Sequence, residues 1–217
     1  NDLVKEISYA AETSSTGSRS ESRALSYFGQ ATYSYDERYF FNVNSRRDGT
    51  SGFGSDSKWS NFGSVGVSWN FNKEKFYPFK FIDIFKLKAT YGTNGNSRIG
   101  TLEAMGLYSY NESDNYMGSV GSSLSGSPNP SLSWETARMT NLGLRLRFFK
   151  RVDLEIEGYW KNTINLISNL DVSRTTGDTR VYRNSGEILN KGIEVNLDIN
   201  VIDRKDVNWT ISLNGAH

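Results

Sequence analysis

GIEVNLDINV, residues Gly192–Val201, alternates without a break: Ile193, Val195, Leu197, Ile199 and Val201 are apolar, while Glu194, Asn196, Asp198 and Asn200 are polar. Successive side chains of a strand point to opposite faces, so this stretch predicts a β-strand with one apolar and one polar side. The next run repeats the pattern, with Val207, Trp209, Ile211 and Leu213 set against Asn208, Thr210, Ser212 and Asn214. Working back, Leu142, Leu144, Leu146 and Phe148 alternate with Asn141, Gly143, Arg145 and Arg147, and Val152, Leu154, Ile156 and Trp160 with Asp153, Glu155, Glu157 and Lys161. Further back lie Phe85 to Tyr91, Ser64 to Phe71, Tyr39 to Arg46 and Leu25 to Tyr35, all with the same period. An all-β chain of about eight antiparallel up-and-down strands is expected, with no helix.

Composition agrees with an ordered chain that has an unusually polar side. Aromatic residues make up 13% of the 217 residues, which excludes simple disorder. Three Pro is few and suits long uninterrupted elements. The formal net charge is +1 with no block of one sign, so nucleic-acid binding has no electrostatic footprint. Zero Cys excludes a disulfide framework, a thiolate zinc site and a Cys nucleophile. No apolar run is long enough for a transmembrane helix, but a spanning strand needs only roughly 9–11 alternating residues. The chain opens at Asn1 in polar sequence and ends at His217 in an expected strand, so a piece of a longer protein is expected.

The connections are unequal. Asp36–Arg38, Phe149–Arg151 and Ile202–Asp206 are short, and Asn72–Asp83 is somewhat longer. Arg47–Ser60, Asn94–Ser133 and Ser168–Gly186 are long and rich in Gly, Ser and Asn. In an antiparallel meander short and long links alternate between the two ends, which is the pattern of an outer-membrane barrel. A soluble sandwich has no reason to sort its loops by end. Aromatics also gather beside the short turns, as in the girdles of membrane proteins. These features favour a membrane barrel over a soluble sheet and leave both open.

Four motifs narrow the choice. RRDGTSGFGSDSKW (Arg46–Trp59) with FGSVGVSWNF after it, LKATYGTNGNSRIG (Leu87–Gly100), NPSLSWETARMTNLGLRLRFF (Asn129–Phe149) and TTGDTRVYRNSGEILNKGIEVNL (Thr175–Leu197) occur in that order. In them the chain resembles the SusC/RagA class of TonB-dependent outer-membrane transporters, in the C-terminal half of the barrel, from Leu25 to Leu213. It departs where the class pattern leads one to expect an acidic or amide residue at Ser131 and a basic one at Ser133. The resemblance implies part of a plugged barrel of roughly 22 strands in the outer membrane of a Gram-negative cell. It implies uptake of oligosaccharides or peptides, a SusD-like surface lipoprotein over the mouth, and energy from the TonB complex acting on a plug before Asn1. On this reading residues 1–217 are a partial barrel, lacking the plug and the remaining strands, and no cofactor is expected.

Other chemistry is thin. The one His, His217, excludes a His-based triad or metal cluster, so no metal site is expected. Asp153, Glu155 and Glu157 share a strand face; paired carboxylates serve glycosidases, but a strand facing a wet lumen explains them better, with Arg145 and Arg147 as cross-strand partners. GSVGSSLSG (Gly118–Gly126) has no following Lys-Ser/Thr and is expected as flexible loop, not a phosphate loop. Asp48 is a candidate to bond nearby backbone amides or a ligand, with Gly49 supplying a positive φ. Trp59, Tyr116 and Trp134 lie in or beside long loops and are candidates for stacking on substrate; equally they pack loops together or form the outer girdle. The leading function is therefore nutrient import without covalent chemistry. The alternative is a soluble or surface-attached β-sheet module that binds glycan or protein through its loops, with a glycosidase third.

Overall fold

The computed structural model describes residues 21–97, 104–117, 119–173, 175 and 180–217. Its strands are β1 (Ala24–Tyr35), β2 (Tyr39–Thr50), β3 (Trp59–Asn70), β4 (Ile82–Asn96), β5 (Leu107–Tyr116), β6 (Ser119–Gly126), β7 (Glu135–Phe148), β8 (Val152–Ile164), β9 (Ile167–Asp171), β10 (Arg180–Asn184), β11 (Glu187–Asp203) and β12 (Asn208–Ala216). Eight of them form one antiparallel sheet in the order β1-β2-β3-β4-β7-β8-β11-β12, so each pairs with the next sheet strand along the chain. The all-β meander expected from the period is therefore present.

The register follows from the period. Val43 faces Val65, Leu87 faces Leu144, Leu146 faces Leu154 and Leu197 faces Leu213, while Asn44 faces Ser64 and Lys86 faces Arg145. A slip of one residue would turn every apolar side chain to the polar face, so the alternation itself locks the pairing. A strand of 12 residues, such as β1, is roughly 40 Å long, and tilted at about 45° it spans the roughly 25 Å apolar band of a bilayer.

Two expectations need correction. Besides the eight sheet strands, the long connections carry two hairpins, β5–β6 and β9–β10. Ser119–Gly126, expected as flexible loop, is strand β6. Such strands stand outside the main sheet, and neither of their faces has to be apolar, so the period-two signal that reveals half-buried strands passes over them. The end of the Leu87–Gly100 motif and residues 176–179 of the last motif lie outside the described residues.

The sheet is a single layer. Leu142, Trp160, Ile193 and Leu213 stand exposed on its apolar side. The buried hydrophobic cluster lies instead at the end with the long connections: Phe53, Phe62, Ala104, Leu132 and Trp134, with Ile167 and Tyr182 packed against it.

At the other end the turns are tight. Arg38 N–H donates to Tyr35 O at 3.0 Å and Arg151 N–H to Phe148 O at 2.9 Å. The central residues have positive φ: Asp36 (51°) and Glu37 (50°) in one turn, Phe149 (50°) and Lys150 (57°) in the other. Positive φ at both positions gives a turn of the hand that suits a hairpin, usually met by Asn-Gly, and one further residue, Arg38 or Arg151, follows before the strands pair at Tyr35–Tyr39 and Phe148–Val152. Phe149 there costs about 1–2 kcal/mol of backbone strain.

Candidate functional site

The polar face of the sheet is the first part of the site. Period two puts Thr32, Asn42, Asn44 and Ser64 on one side, and they pair across strands: Thr32 Oγ1 donates to Asn42 Oδ1 at 3.0 Å and Asn44 Nδ2 to Ser64 Oγ at 3.1 Å. Lys86 sits 5.3 Å from the centre of the Phe40 ring. Lys88 Nζ reaches Glu155 Oε1 at 2.5 Å across the intervening strand. Asp153 is gripped by two guanidinium groups, Arg145 Nη2 at 2.8 Å and Arg147 Nη2 at 2.5 Å. The carboxylates thus have separate partners: both Arg converge on Asp153, while Glu155 takes Lys88. Asp153 faces Asp198, and Glu157 faces Glu194, directly across β8 and β11. Like charges opposite each other destabilise a sheet unless water or countercharge screens them, so this face suits an aqueous interior. Among the described residues no cluster of His, Cys, Asp and Glu is arranged to hold a metal ion.

The second part is the loop end. Gly54 N–H donates to Leu132 O at 3.1 Å, and Asp56 N–H to Pro130 O at 3.3 Å, so the segment between β2 and β3 is stitched to the one before β7. Gly54 is required there, because a β-carbon on it would lie 1.9 Å from Pro130 O. Asn129 Nδ2 donates to Tyr182 O at 2.6 Å, and Asn184 both accepts from Ser133 N–H (2.8 Å) and donates to Ser133 O (2.7 Å). The three long connections therefore form one block. Phe53 and Phe62 pack on Trp134 with ring centres 4.8 and 5.7 Å away. Beside this block lies a polar cleft of about 420 Å³, lined by Asn129, Ser131, Ser133, Arg183 and Asn184 among others. Ser133 engages Asn184 chiefly through its backbone, so the side chain at that position is free to depart from the class pattern.

The four candidates are not all brought together. Asp48 is 6% exposed and pairs with Arg46 Nε at 2.6 Å, and Arg46 lies 6.0 Å from the Phe62 ring, which in turn packs on Trp134. Trp134 is 8% exposed. Asp48 Oδ1 and Trp134 Nε1 are buried without a hydrogen-bond partner among the described residues. Trp59 projects to the opposite, apolar side, stacked on Tyr27 at 6.1 Å with Arg47 over its ring at 5.3 Å. Tyr116 is in β5, paired with Ser119 near the hairpin tip. Gly49 lies within strand β2, and Asp48 meets a side chain there instead of a turn's amides. Sequence reasoning missed Asn129, Asn184 and Gly54, whose contacts span long loops and leave no periodic signal.

The short-turn end has its own polar anchor. Glu74 is buried, and its carboxylate accepts from Tyr39 Oη (2.6 Å), Trp69 Nε1 (3.0 Å) and Arg38 Nη1 (3.1 Å). The hydrogen bonds from Tyr39 and Trp69, and then the Arg38 charge, favour the ionised form and hold its pKa below the ordinary carboxylate value, against the opposing effect of burial.

Comparison with known proteins places this architecture. Residues 4–217 match the family model described as TonB dependent receptor-like, beta-barrel. A TonB-dependent receptor of Formosa agariphila is 31% identical over all of this chain and 21% of its own length. TonB-dependent receptor SusC of Bacteroides thetaiotaomicron is 30% identical over 88% of this chain and 20% of its own. The chain thus spans about a fifth of the length of these relatives. Among solved structures, the RagAB peptide importer in its open-open state superposes with a TM-score of 0.83 at 28% identity, covering 90% of this chain and 21% of that one. A siderophore receptor, PirA of Pseudomonas aeruginosa, shares the fold alone, with a TM-score of 0.57 at 17% identity. With one face alternating apolar, the other polar and charged, and the long connections gathered at one end, the chain belongs to the TonB-dependent receptor family, as a stretch of its β-barrel domain similar to SusC and to the RagAB importer.

Proposed function

We propose that this chain is part of the wall of an outer-membrane importer that takes up oligosaccharides or peptides. The observation that carries the reading is the division of a single-layer sheet into two unlike faces. Leu142, Trp160, Ile193 and Leu213 stand exposed on one side, while Asp153, Glu155 and Asp198 lie with their polar partners on the other. In water the apolar side would need a second layer; in a bilayer it meets acyl chains. Residues 1–217 form a partial barrel, completed in the whole importer by further strands and a plug through which the TonB complex acts. No covalent chemistry is assigned, since Asp153 and Glu155 are held by Arg and Lys instead of flanking a free cleft.

The stitched loop block belongs to the extracellular mouth, where a SusD-like lipoprotein seats and substrate enters. Asp48 and Trp134 brace that block from beneath, Trp59 anchors its apolar rim, and Tyr116 on the β5–β6 hairpin contacts substrate. Amides, hydroxyls and Arg183 in the adjoining cleft suit sugar hydroxyls and peptide backbone alike. The test is uptake by cells lacking the gene: labelled oligosaccharide and peptide pools are offered, and import of one class should be lost, restored by the full-length gene, and abolished again without TonB or the lipoprotein. Unchanged uptake of both classes would refute the reading.

A further inference from the structure

The polar cleft beside the loop block is built without an aromatic ring. Its walls come from the segment before β7, with Asn129, Ser131 and Ser133, and from β10, with Arg183 and Asn184, around a volume of about 420 Å³. That volume lies within the roughly 300–1,000 Å³ of small-molecule sites, which are usually lined by apolar and aromatic side chains. None of the residues lining this cleft is aromatic, so nothing in it can stack on a sugar ring. Recognition here has to run through charge and hydrogen bonds.

Most of its polar groups are already committed. Asn184 donates its amide hydrogens to Ser133 O at 2.7 Å and Asn165 O at 2.9 Å, and its Oδ1 accepts the Ser133 N–H at 2.8 Å. Asn129 Nδ2 donates to Tyr182 O at 2.6 Å, and its Oδ1 accepts from the Ser131 hydroxyl at 2.8 Å. These bonds fix the walls. Arg183 differs: it is exposed, and no ion pair or hydrogen bond engages its side chain among the described residues. Acids of the same end have other partners. Asp171 takes Arg180 at 2.9 Å, Asp48 takes Arg46 at 2.6 Å, and Glu135 accepts from Asn96 Nδ2 at 2.6 Å and the Ile167 N–H at 2.9 Å. Where the class pattern leads one to expect an acidic or amide residue at 131 and a basic one at 133, this chain has two Ser. Arg183 is thereby the one charged side chain lining the cleft.

We propose that the cleft is a subsite for a carboxylate carried by the imported solute, with Arg183 as its anchor. A guanidinium presents five N–H donors in a planar fork, which matches the two coplanar oxygens of a carboxylate. A single unpaired positive charge balances one negative charge, which suits a carboxylate better than a doubly charged phosphate. The hydroxyls of Ser131 and Ser133 stand in the same cleft as acceptors for a neighbouring O–H or N–H of the ligand. A uronic acid unit of a glycan and the acid end of a peptide share this chemistry, so the subsite narrows either substrate class to its acidic members. The inference rests on the importer reading above, with the loop block at the mouth.

The experiment measures binding to the detergent-solubilised full-length protein by calorimetry, with two matched pairs of probes. One pair is an oligogalacturonate and its methyl ester; the other is a short peptide without acidic side chains and its C-terminal amide. In one pair the acid should bind roughly 10- to 100-fold more tightly than its neutral partner, as expected for a hydrogen bond to a charged group. The pair that shows the difference identifies the source of the carboxylate. Arg183→Gln should bring the acid down to the level of its neutral partner with no change in melting temperature, and Arg183→Lys, which lacks the fork, should recover only part of the difference. Ser131→Asp, which places a carboxylate in the cleft, should remove the preference in the same way. Equal binding of acid and neutral members in both pairs, a preference that survives Arg183→Gln, or a sulfate ester held as tightly through Arg183 would overturn the carboxylate subsite. Absence of binding by all four probes would overturn it too. The importer reading stands or falls separately, on uptake by cells lacking the gene.

Discussion

The indole of Trp59 lies across Gly49, its partner on the neighbouring strand, so closely that a β-carbon on Gly49 would fall 2.7 Å from the ring. Gly49 thus serves as the floor on which an aromatic ring rests, and not as a turn residue. The ring is held from its other neighbours by Tyr27 and Arg47, which fixes the loop-side rim of the apolar face. Gly49→Ala should therefore displace the indole and cost about 1–3 kcal/mol by overpacking. A second change, Trp59→Leu, should recover most of that loss. Melting of the detergent-solubilised full-length protein, read by the temperature at which it stops migrating as a folded species, checks both.

Gly54 makes a closer approach, to the backbone of Pro130, and no side chain is present there to give way. Gly54→Ala should separate the segment before β3 from the segment before β7 while the sheet stays intact. The expected result is normal membrane assembly with faster cleavage of the long loops by protease added to intact cells. Unchanged cleavage would show that the two segments are not stitched in the membrane.

The two faces of β11 differ in what they tolerate. Arg at a lipid-facing position near mid-membrane costs roughly 2–4 kcal/mol, whereas a polar interior accepts it. Leu197→Arg should thus depress the yield of folded, membrane-inserted protein, and Asn196→Arg should not. Equal yields would refute the assignment of the apolar face to lipid.

Topology is testable because the chain has no Cys of its own. Ser55→Cys, in an exposed part of the loop block, should react with an impermeant maleimide on intact cells. Asp206→Cys, in the β11–β12 turn, should react only after the outer membrane is opened. The reverse pattern would invert the barrel.

Glu74 makes the short-turn end acid-sensitive. Its pKa is held below the ordinary 4.5, first by the hydrogen bond from Tyr39 and next by that from Trp69. A carboxylate with a depressed folded pKa stabilises fully above its unfolded value, and that contribution fades as pH falls through the folded value. Acidification from neutrality should leave the turn unaffected until pH drops below about 4.5, then loosen it. Glu74→Gln should be less stable at neutral pH and lose this acid step, as followed by Trp fluorescence during acid titration.

Much of the wall was legible in the chain. Leu197 and Leu213, or Leu87 and Leu144, face each other because both lie on the apolar phase of a two-residue period, and register follows from phase. Asp153, Glu155 and their cationic neighbours were placed on the polar face for the same reason, although which cation served which carboxylate was not. Lys88 reaches Glu155 across the strand between them, a diagonal contact that nearest-neighbour pairing does not reveal.

The sequence by itself determined the class, the strand phase and the sorting of long connections to one end, because these depend on residues close together in the chain. Only the tertiary structure decided that Asp48 and Trp134 are buried supports while Trp59 turns to the apolar rim. It also decided that Asn129 and Asn184 tie separate loops into one block. Such contacts join residues more than fifty positions apart, as Asn129 and Tyr182 are. They depend on where three irregular segments happen to meet once the sheet has brought their ends together, and no local period in the chain encodes that meeting.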